Sequence, residues 1–321
     1  MEDKVRFSDF SSQKPIIQLF ISVIVVIIAG TLLFYFFLLA GALFFNTEIS
    51  KMFSIPSVNG IETEVSILKY VQLSQQVAMF VIPAILLGSM FKSGGTPFLK
   101  INRIPESGNV IIVILLTIMI IPLNNYAGML NSKMDLPYWM SGVEHWIRTK
   151  EDIAGELTGL LIRTNGLKDL IINIFILAIV PAIAEEMLFR GILQQIFSKL
   201  LRSNHAGIWI TAIFFSAVHL QFFGFIPRLI LGLCFGYLFF WTGNLWIPIV
   251  AHFINNLVPV VMSYFFNWNE ISKKALDLAD KQILLPLVPT LIGLVCFYYF
   301  WMDYMKRAKS NIDEIPRSEL L

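Results

Sequence analysis

Eight stretches of this chain are apolar for about the length needed to cross a bilayer, and no other feature constrains the fold as much. About 20 apolar residues, rising 1.5 Å each, cover the roughly 30 Å hydrocarbon core. By that rule spans are expected at 16–45, 70–91, 109–130, 170–198, 207–224, 226–243, 246–266 and 283–305. The fifth and sixth are the hardest to separate, because Pro227 and Arg228 follow closely on Phe225. Lipid offers the backbone no hydrogen-bond partners, so continuous apolar runs of this length fold as helices. Composition agrees: of 321 residues 56% are hydrophobic and 14% charged, where a soluble domain carries roughly 25% charge. The expected fold is all-α, a polytopic integral protein of the cell membrane.

Charge says little about partners and something about orientation. A net charge of +2 is too near neutral to suggest nucleic-acid binding. Lys4, Arg6 and Lys14 precede the first span, and Lys92, Lys100 and Arg103 follow the second. Lys199 and Arg202 follow the fourth, and Lys306, Arg307, Lys309 and Arg317 follow the last. Lys and Arg accumulate on the cytoplasmic side, which places both termini there and agrees with an even number of spans. The first apolar run is far longer than the core of a cleavable signal peptide, so it is expected to be retained. Trp246, Trp268 and Tyr304 stand at span ends, as interfacial anchors do. Cys234 and Cys296 both lie in apolar segments and read as packing residues.

Three parts are expected: 1–169 with three spans and a long loop, 170–266 holding the polar residues, and 267–321 with the final span and tail. The long loop carries Trp139, Trp146 and an amphipathic stretch at 153–162, suited to the membrane surface.

Three ionisable residues interrupt the fourth apolar run, in Glu185-Glu186-Met187-Leu188-Phe189-Arg190. A charge at the bilayer centre costs at least about 2.5–3.5 kcal/mol, so such residues pair or do chemistry. Glu186 and Arg190 are spaced i, i+4 and share a helix face. Glu185 lies about 100° around the helix, which makes it the freer carboxylate, able to face another helix. The bland reading is a structural ion pair with a spare acid, and it leaves Glu185 unexplained.

The following spans supply possible companions only by depth. His219 lies fourteen residues after His205, and Glu185 fourteen before Lys199, so each sits about 20 Å from the same interface. Antiparallel helices joined by a short loop would let the two meet, with Phe215 packed beside them. His252 and Asn256 are again i, i+4, at depths of about 10 and 15 Å. Asn255 points elsewhere and is expected to bond to a neighbouring helix. Interhelical hydrogen bonding accounts for any one of these residues taken alone. It accounts less well for two carboxylates, two imidazoles and an amide at compatible depths on three helices.

Two chemistries fit this set. In one, Glu185 is a general base that activates water with help from His219, while His252 and Asn256 donate to the oxyanion of a tetrahedral intermediate. In the other, Glu185, His219 and His252 hold a zinc ion that polarises the water. A proton relay in a transporter is a competing use of intramembrane Glu and His, although no internal repeat is visible.

The three pieces together resemble the CPBP family (CAAX proteases and bacteriocin-processing enzymes, or Abi family). Its pattern is Glu-Glu-x-x-x-Arg, then Phe-x-x-x-His, then His-x-x-x-Asn on successive membrane helices. Here it reads Glu185-Glu186…Arg190, Phe215…His219 and His252…Asn256. The resemblance covers 170–265 and implies an intramembrane endopeptidase, similar to the type that trims prenylated CAAX proteins. It implies that Glu185 activates water with His219 assisting, that Glu186 and Arg190 shape the site, and that His252 and Asn256 form the oxyanion hole. Both glutamate-type and metalloprotease schemes have been advanced for the family; the metal-independent one is preferred here. The expected partners are membrane lipid and a peptide or protein substrate, prenylated, membrane-embedded or a leader or signalling peptide. A non-catalytic scaffold or bacteriocin-immunity protein of the same fold is the alternative.

Overall fold

The computed structural model describes residues 7–52, 62–92, 98–164, 166–266 and 287–313. Among them every regular element is helical. Seven helices are long and apolar enough to cross a membrane: α1 (Pro15–Phe44), α2 (Thr63–Met90), α3 (Ser107–Ser132), α5 (Leu167–Leu200), α7 (Phe225–Thr242), α8 (Trp246–Phe265) and α9 (Leu287–Lys309). Two further helices bear on the site, α4 (Ser141–Ile162) and α6 (Asn204–Ala217). The protein is therefore a multi-pass membrane protein. The expectations that fall on Lys4, Arg6, Trp268 and Arg317 lie outside the described residues.

The expected span at 207–224 is corrected. Its helix, α6, has 14 residues and ends at Ala217, so His219 lies beyond the helix rather than within it. Ser203 caps the start, its side chain accepting from Ala206 N. At the other end Leu220 has φ 53°, the left-handed region, which a helix cannot contain. The turn that follows is held from both sides. Ser216 Oγ donates to Phe225 O at 2.6 Å. Asn131, in the last turn of α3, donates to Phe222 O at 2.9 Å and accepts from Ile226 N at 3.2 Å. Leu220, Phe222, Phe223 and Phe225 keep this stretch apolar, which is why hydropathy reads it as membrane helix. Irregular backbone at such a place is tolerated where protein supplies its partners.

Two helices widen where a proline demands it. Proline lacks an N–H, and its ring clashes with the carbonyl four residues earlier. In α5 a π turn over Ile174–Ile179 precedes Pro181, and in α2 one over Val77–Val81 precedes Pro83. A second π turn in α5, Phe189–Gln194, follows the acidic pair. The segment Val180–Leu188 is thus an α-helical piece set between two wide turns.

Helices α5, α6 and α7 approach closely because α7 presents small residues. A Cβ at Gly232 would stand 3.1 Å from the Ala212 Cβ, and one at Gly236 would stand 2.9 Å from Ile208. This Gly-x-x-x-Gly face exposes carbonyls to α5, where Arg190 Nη2 donates to Gly232 O (3.2 Å) and Gln194 Nε2 to Gly236 O (3.0 Å). Gly243, at φ 61°, ends α7 and donates its N–H to Phe239 O. The next residues are tied to the α2–α3 loop: Leu245 N donates to Lys100 O, Asn244 Nδ2 to Arg103 O and Trp246 Nε1 to Ile101 O. Gln195 Nε2 donates to Phe98 O at 2.8 Å, so the same loop lies against the end of α5, and burial, then the nearby Lys199, pushes Lys100 below the usual lysine range.

Two apolar cores flank the polar site. One joins α2, α5, α6 and α8 through Leu87, Phe91, Phe189, Ile192, Phe215 and Ile249. The other joins α3, α7, α8 and α9 through Leu116, Phe235, Leu238, Ala251 and Phe300. Cys234 and Cys296 are free, buried members of the second core. Phe20, Ile27, Phe36, Leu43 and Val295 face outward, where lipid would meet them.

Candidate active site in the helix bundle

Neighbouring carboxylates on α5 meet different surroundings. Glu186 and Arg190 are both fully buried, with Arg190 Nη1 2.6 Å from Glu186 Oε1. The same oxygen accepts from His252 Nδ1 at 2.8 Å. The guanidinium is sandwiched, its Cζ 4.7 Å from the centre of the Phe215 ring and 5.4 Å from that of Phe235. A buried pair survives only when geometry and extra hydrogen bonds offset its desolvation. Here an imidazole, a glycine carbonyl and two aromatic faces supply them.

Glu185 turns the other way, toward a cavity of about 580 Å³. Its Oε1 accepts from Gln76 Nε2 at 3.0 Å. The opposite oxygen, Oε2, lies 3.9 Å from His219 Nε2 and 3.9 Å from His252 Nε2. His219 Nδ1 is 2.7 Å from Phe215 O, a carbonyl that can only accept, so in the neutral ring the proton sits on Nδ1 and Nε2 carries a lone pair. His219 thus reaches Glu185 from the turn after α6 rather than from within a helix. Phe215 packs edge-on between the imidazoles, its ring centre 5.1 Å from that of His219 and 6.1 Å from that of His252.

Asn256 also lines this cavity. Asn255 is placed differently from the expectation: its Nδ2 donates to Asn256 Oδ1 at 3.2 Å, and both amides face the cavity. That bond fixes the Asn256 amide with its Nδ2 hydrogens unspent. Arg190, Glu186, His252, Glu185 and His219 thus follow one another in a chain of contacts, with Asn256 on the shared wall.

The sequence reading overlooked the other half of the wall. Gln72, Gln75 and Gln76 of α2 line the cavity, with Gln221 and Arg228 from the α6–α7 region. The signal was present, since a cluster of amides in a span and an arginine at a span start are unusual in lipid. Helix α4 closes the rim with Thr158, Leu161 and Ile162. Its Glu151 accepts from Phe223 N at 2.9 Å, which ties it to the turn bearing His219.

Tetrahedral zinc with bonds near 2.1 Å sets its donors about 3.4 Å apart. The two separations from Glu185 Oε2 are 3.9 Å, and the other Glu185 oxygen is taken by Gln76. Among the described residues, no three His, Cys, Asp or Glu side chains are grouped to hold a metal. As arranged, His219 and His252 stand farther from Glu185 Oε2 than the donors of one zinc ion would.

Fold and site together define a helical membrane protein with an acid–imidazole–amide cluster facing an internal cavity. Residues 167–258 match the family model for type II CAAX prenyl endopeptidase Rce1-like proteins, so this stretch of the chain is similar to that family. The uncharacterized protein YpbD of Bacillus subtilis (strain 168) is 37% identical over 90 residues, covering 27% of this chain and 43% of that protein. The chain thus matches less than half the length of this relative. No solved structure matches the chain significantly.

Proposed function

We propose that the protein is an intramembrane endopeptidase of the glutamate type. The observation that carries this reading is the approach of two imidazole Nε2 atoms to one carboxylate oxygen, Glu185 Oε2, on the wall of a cavity of about 580 Å³. Gln76 holds the other oxygen, so Oε2 is the one left to accept a proton.

A water bound at Oε2 gives that oxygen its proton while donating its second hydrogen to His219 Nε2. The hydroxyl oxygen attacks the carbonyl carbon of the scissile peptide and forms a tetrahedral oxyanion. Asn256 Nδ2 donates to that oxyanion, as does His252 Nε2 when its ring is protonated, with Glu186 holding its Nδ1–H. The C–N bond then breaks, the proton on Glu185 passes to the leaving nitrogen, and an acid and an amine are released. Glu186 and Arg190 act as positioning residues, holding His252 and the Phe215 face.

Substrates that fit are peptides or protein termini delivered from the membrane, prenylated or not. The test is cleavage of farnesylated and unmodified peptides by the detergent-purified chain, compared with Glu185→Gln and His219→Ala. Equal turnover by all three would remove the catalytic assignment. Full activity without stoichiometric metal would support the metal-independent scheme, and loss on chelation with recovery on zinc would replace it.

A further inference from the structure

A second cavity of about 1140 Å³ lies beside the first, between α4 and the α6–α7 turn, with Ser263 and Phe266 beyond. Thr158, Ile162, Gln221 and Arg228 line both cavities, so they mark the passage from one to the other. Arg228 is half-buried in the first turn of α7. Its Nη2 donates to Gln221 Oε1. Its Nη1 is buried and has no partner. Among the described residues no carboxylate forms an ion pair with it. The acids whose charge reaches it, Glu151 and Glu185, are engaged by Phe223 N and Gln76 Nε2.

This arrangement is built rather than incidental. The guanidinium lies across the backbone of Gly224, where a Cβ would collide with Nη1, so the loop is shaped to admit it. A cation withdrawn from water without a counter-charge is costly. Arginine has five N–H donors, and one is used here. Its planar fork matches a carboxylate through two parallel hydrogen bonds.

We propose that Arg228 is a specificity-determining residue that takes a carboxylate of the peptide as the peptide passes toward Glu185. This rests on the endopeptidase reading above. The carboxylate belongs either to the peptide's C-terminus or to an Asp or Glu side chain near the scissile bond. Both present the same fork, and the test separates them.

The full chain in detergent is offered three synthetic peptide libraries built on the same set of sequences. One ends in free acids, one in amides, and one in free acids with every Asp and Glu replaced by Asn and Gln. Binding is read in the Glu185→Gln background by affinity selection and mass spectrometry, and cleavage in the otherwise unchanged chain. Acid-bearing peptides are expected to be retained about tenfold or more over their neutral counterparts, the scale of a charge-assisted hydrogen bond. Arg228→Gln is expected to bring that ratio near one, with Arg228→Lys between, since it keeps the charge and loses the fork. Preference lost on amidation assigns the C-terminus, and preference lost in the Asn/Gln library assigns a side chain. A ratio unchanged in Arg228→Gln, or no selective binding at all, overturns the carboxylate site. Arg228-dependent binding without any cleavage overturns the endopeptidase reading instead, and cleavage without acid preference leaves that reading standing while this one falls.

Discussion

Two polar clusters lie back to back on α5, one around Glu186 and one around Glu185, and they solve burial in opposite ways. Around Glu186 one carboxylate oxygen is shared by a guanidinium and an imidazole, and no solvent reaches the acid or the arginine. Around Glu185 one oxygen is fixed by Gln76, while the other faces two ring nitrogens at 3.9 Å across an open cavity. The first is a closed arrangement whose contacts hold three helices in register. The second keeps spare valences at short range, the condition for proton transfer. A turn of about 100° between adjacent helix residues is enough to separate the two uses.

Substitutions should therefore divide along the same line. The largest effect is expected from Glu185→Gln, with cleavage reduced about 10³-fold or more and thermal stability in detergent unchanged; a comparable loss of stability would make Glu185 a structural acid like its neighbour. Arg190→Met should do the reverse and destabilise the fold by about 3–5 kcal/mol, because it strands a buried carboxylate. Chemical unfolding in mixed micelles measures this, and adding Glu186→Gln should recover part of the loss. Gln76→Leu is expected to lower kcat about ten- to hundredfold with KM little changed, matching about 1.5–3 kcal/mol for a hydrogen bond to a charged group. An equal fall in a Gln72→Leu control would deny Gln76 its particular role. Gly232→Ala should cost about 1–3 kcal/mol through the contact between α6 and α7, read as a lowered Tm. Smallest of all, Arg148→Ala breaks exposed pairs to Asp135 and Glu144 and should leave Tm unaltered at high salt.

Hydropathy located most of the long helices to within a few residues because in lipid the apolar run and the helix coincide, but α2 begins at Thr63, two turns before the expected 70. Hydropathy failed at 218–224, where phenylalanines and Leu220 cover an irregular turn whose hydrogen bonds come from Asn131, Ser216 and Glu151. Asn131 and Glu151 are distant in the sequence, and no periodicity announces them. Spacing was enough to pair Glu186 with Arg190, since a helix enforces i, i+4 contact. It could not reveal that His252 would share the same oxygen, nor that an amide from α2 would fix Glu185. The polar residues of 170–266 stood out by being rare, and Gln72, Gln75 and Gln76 were passed over because an uncharged amide barely lowers hydropathy.

The bond between Gln76 and Glu185 joins residues 109 positions apart, and His252 follows Glu186 by another 66. During synthesis α2 enters the membrane long before α5, and α5 before α8. Until the last of these has been made and docked, Glu185 has no second imidazole and the cavity no far wall. A half-made chain therefore lacks the reactive arrangement altogether. Completion of the site thus waits on α8, the last of the three helices to be made.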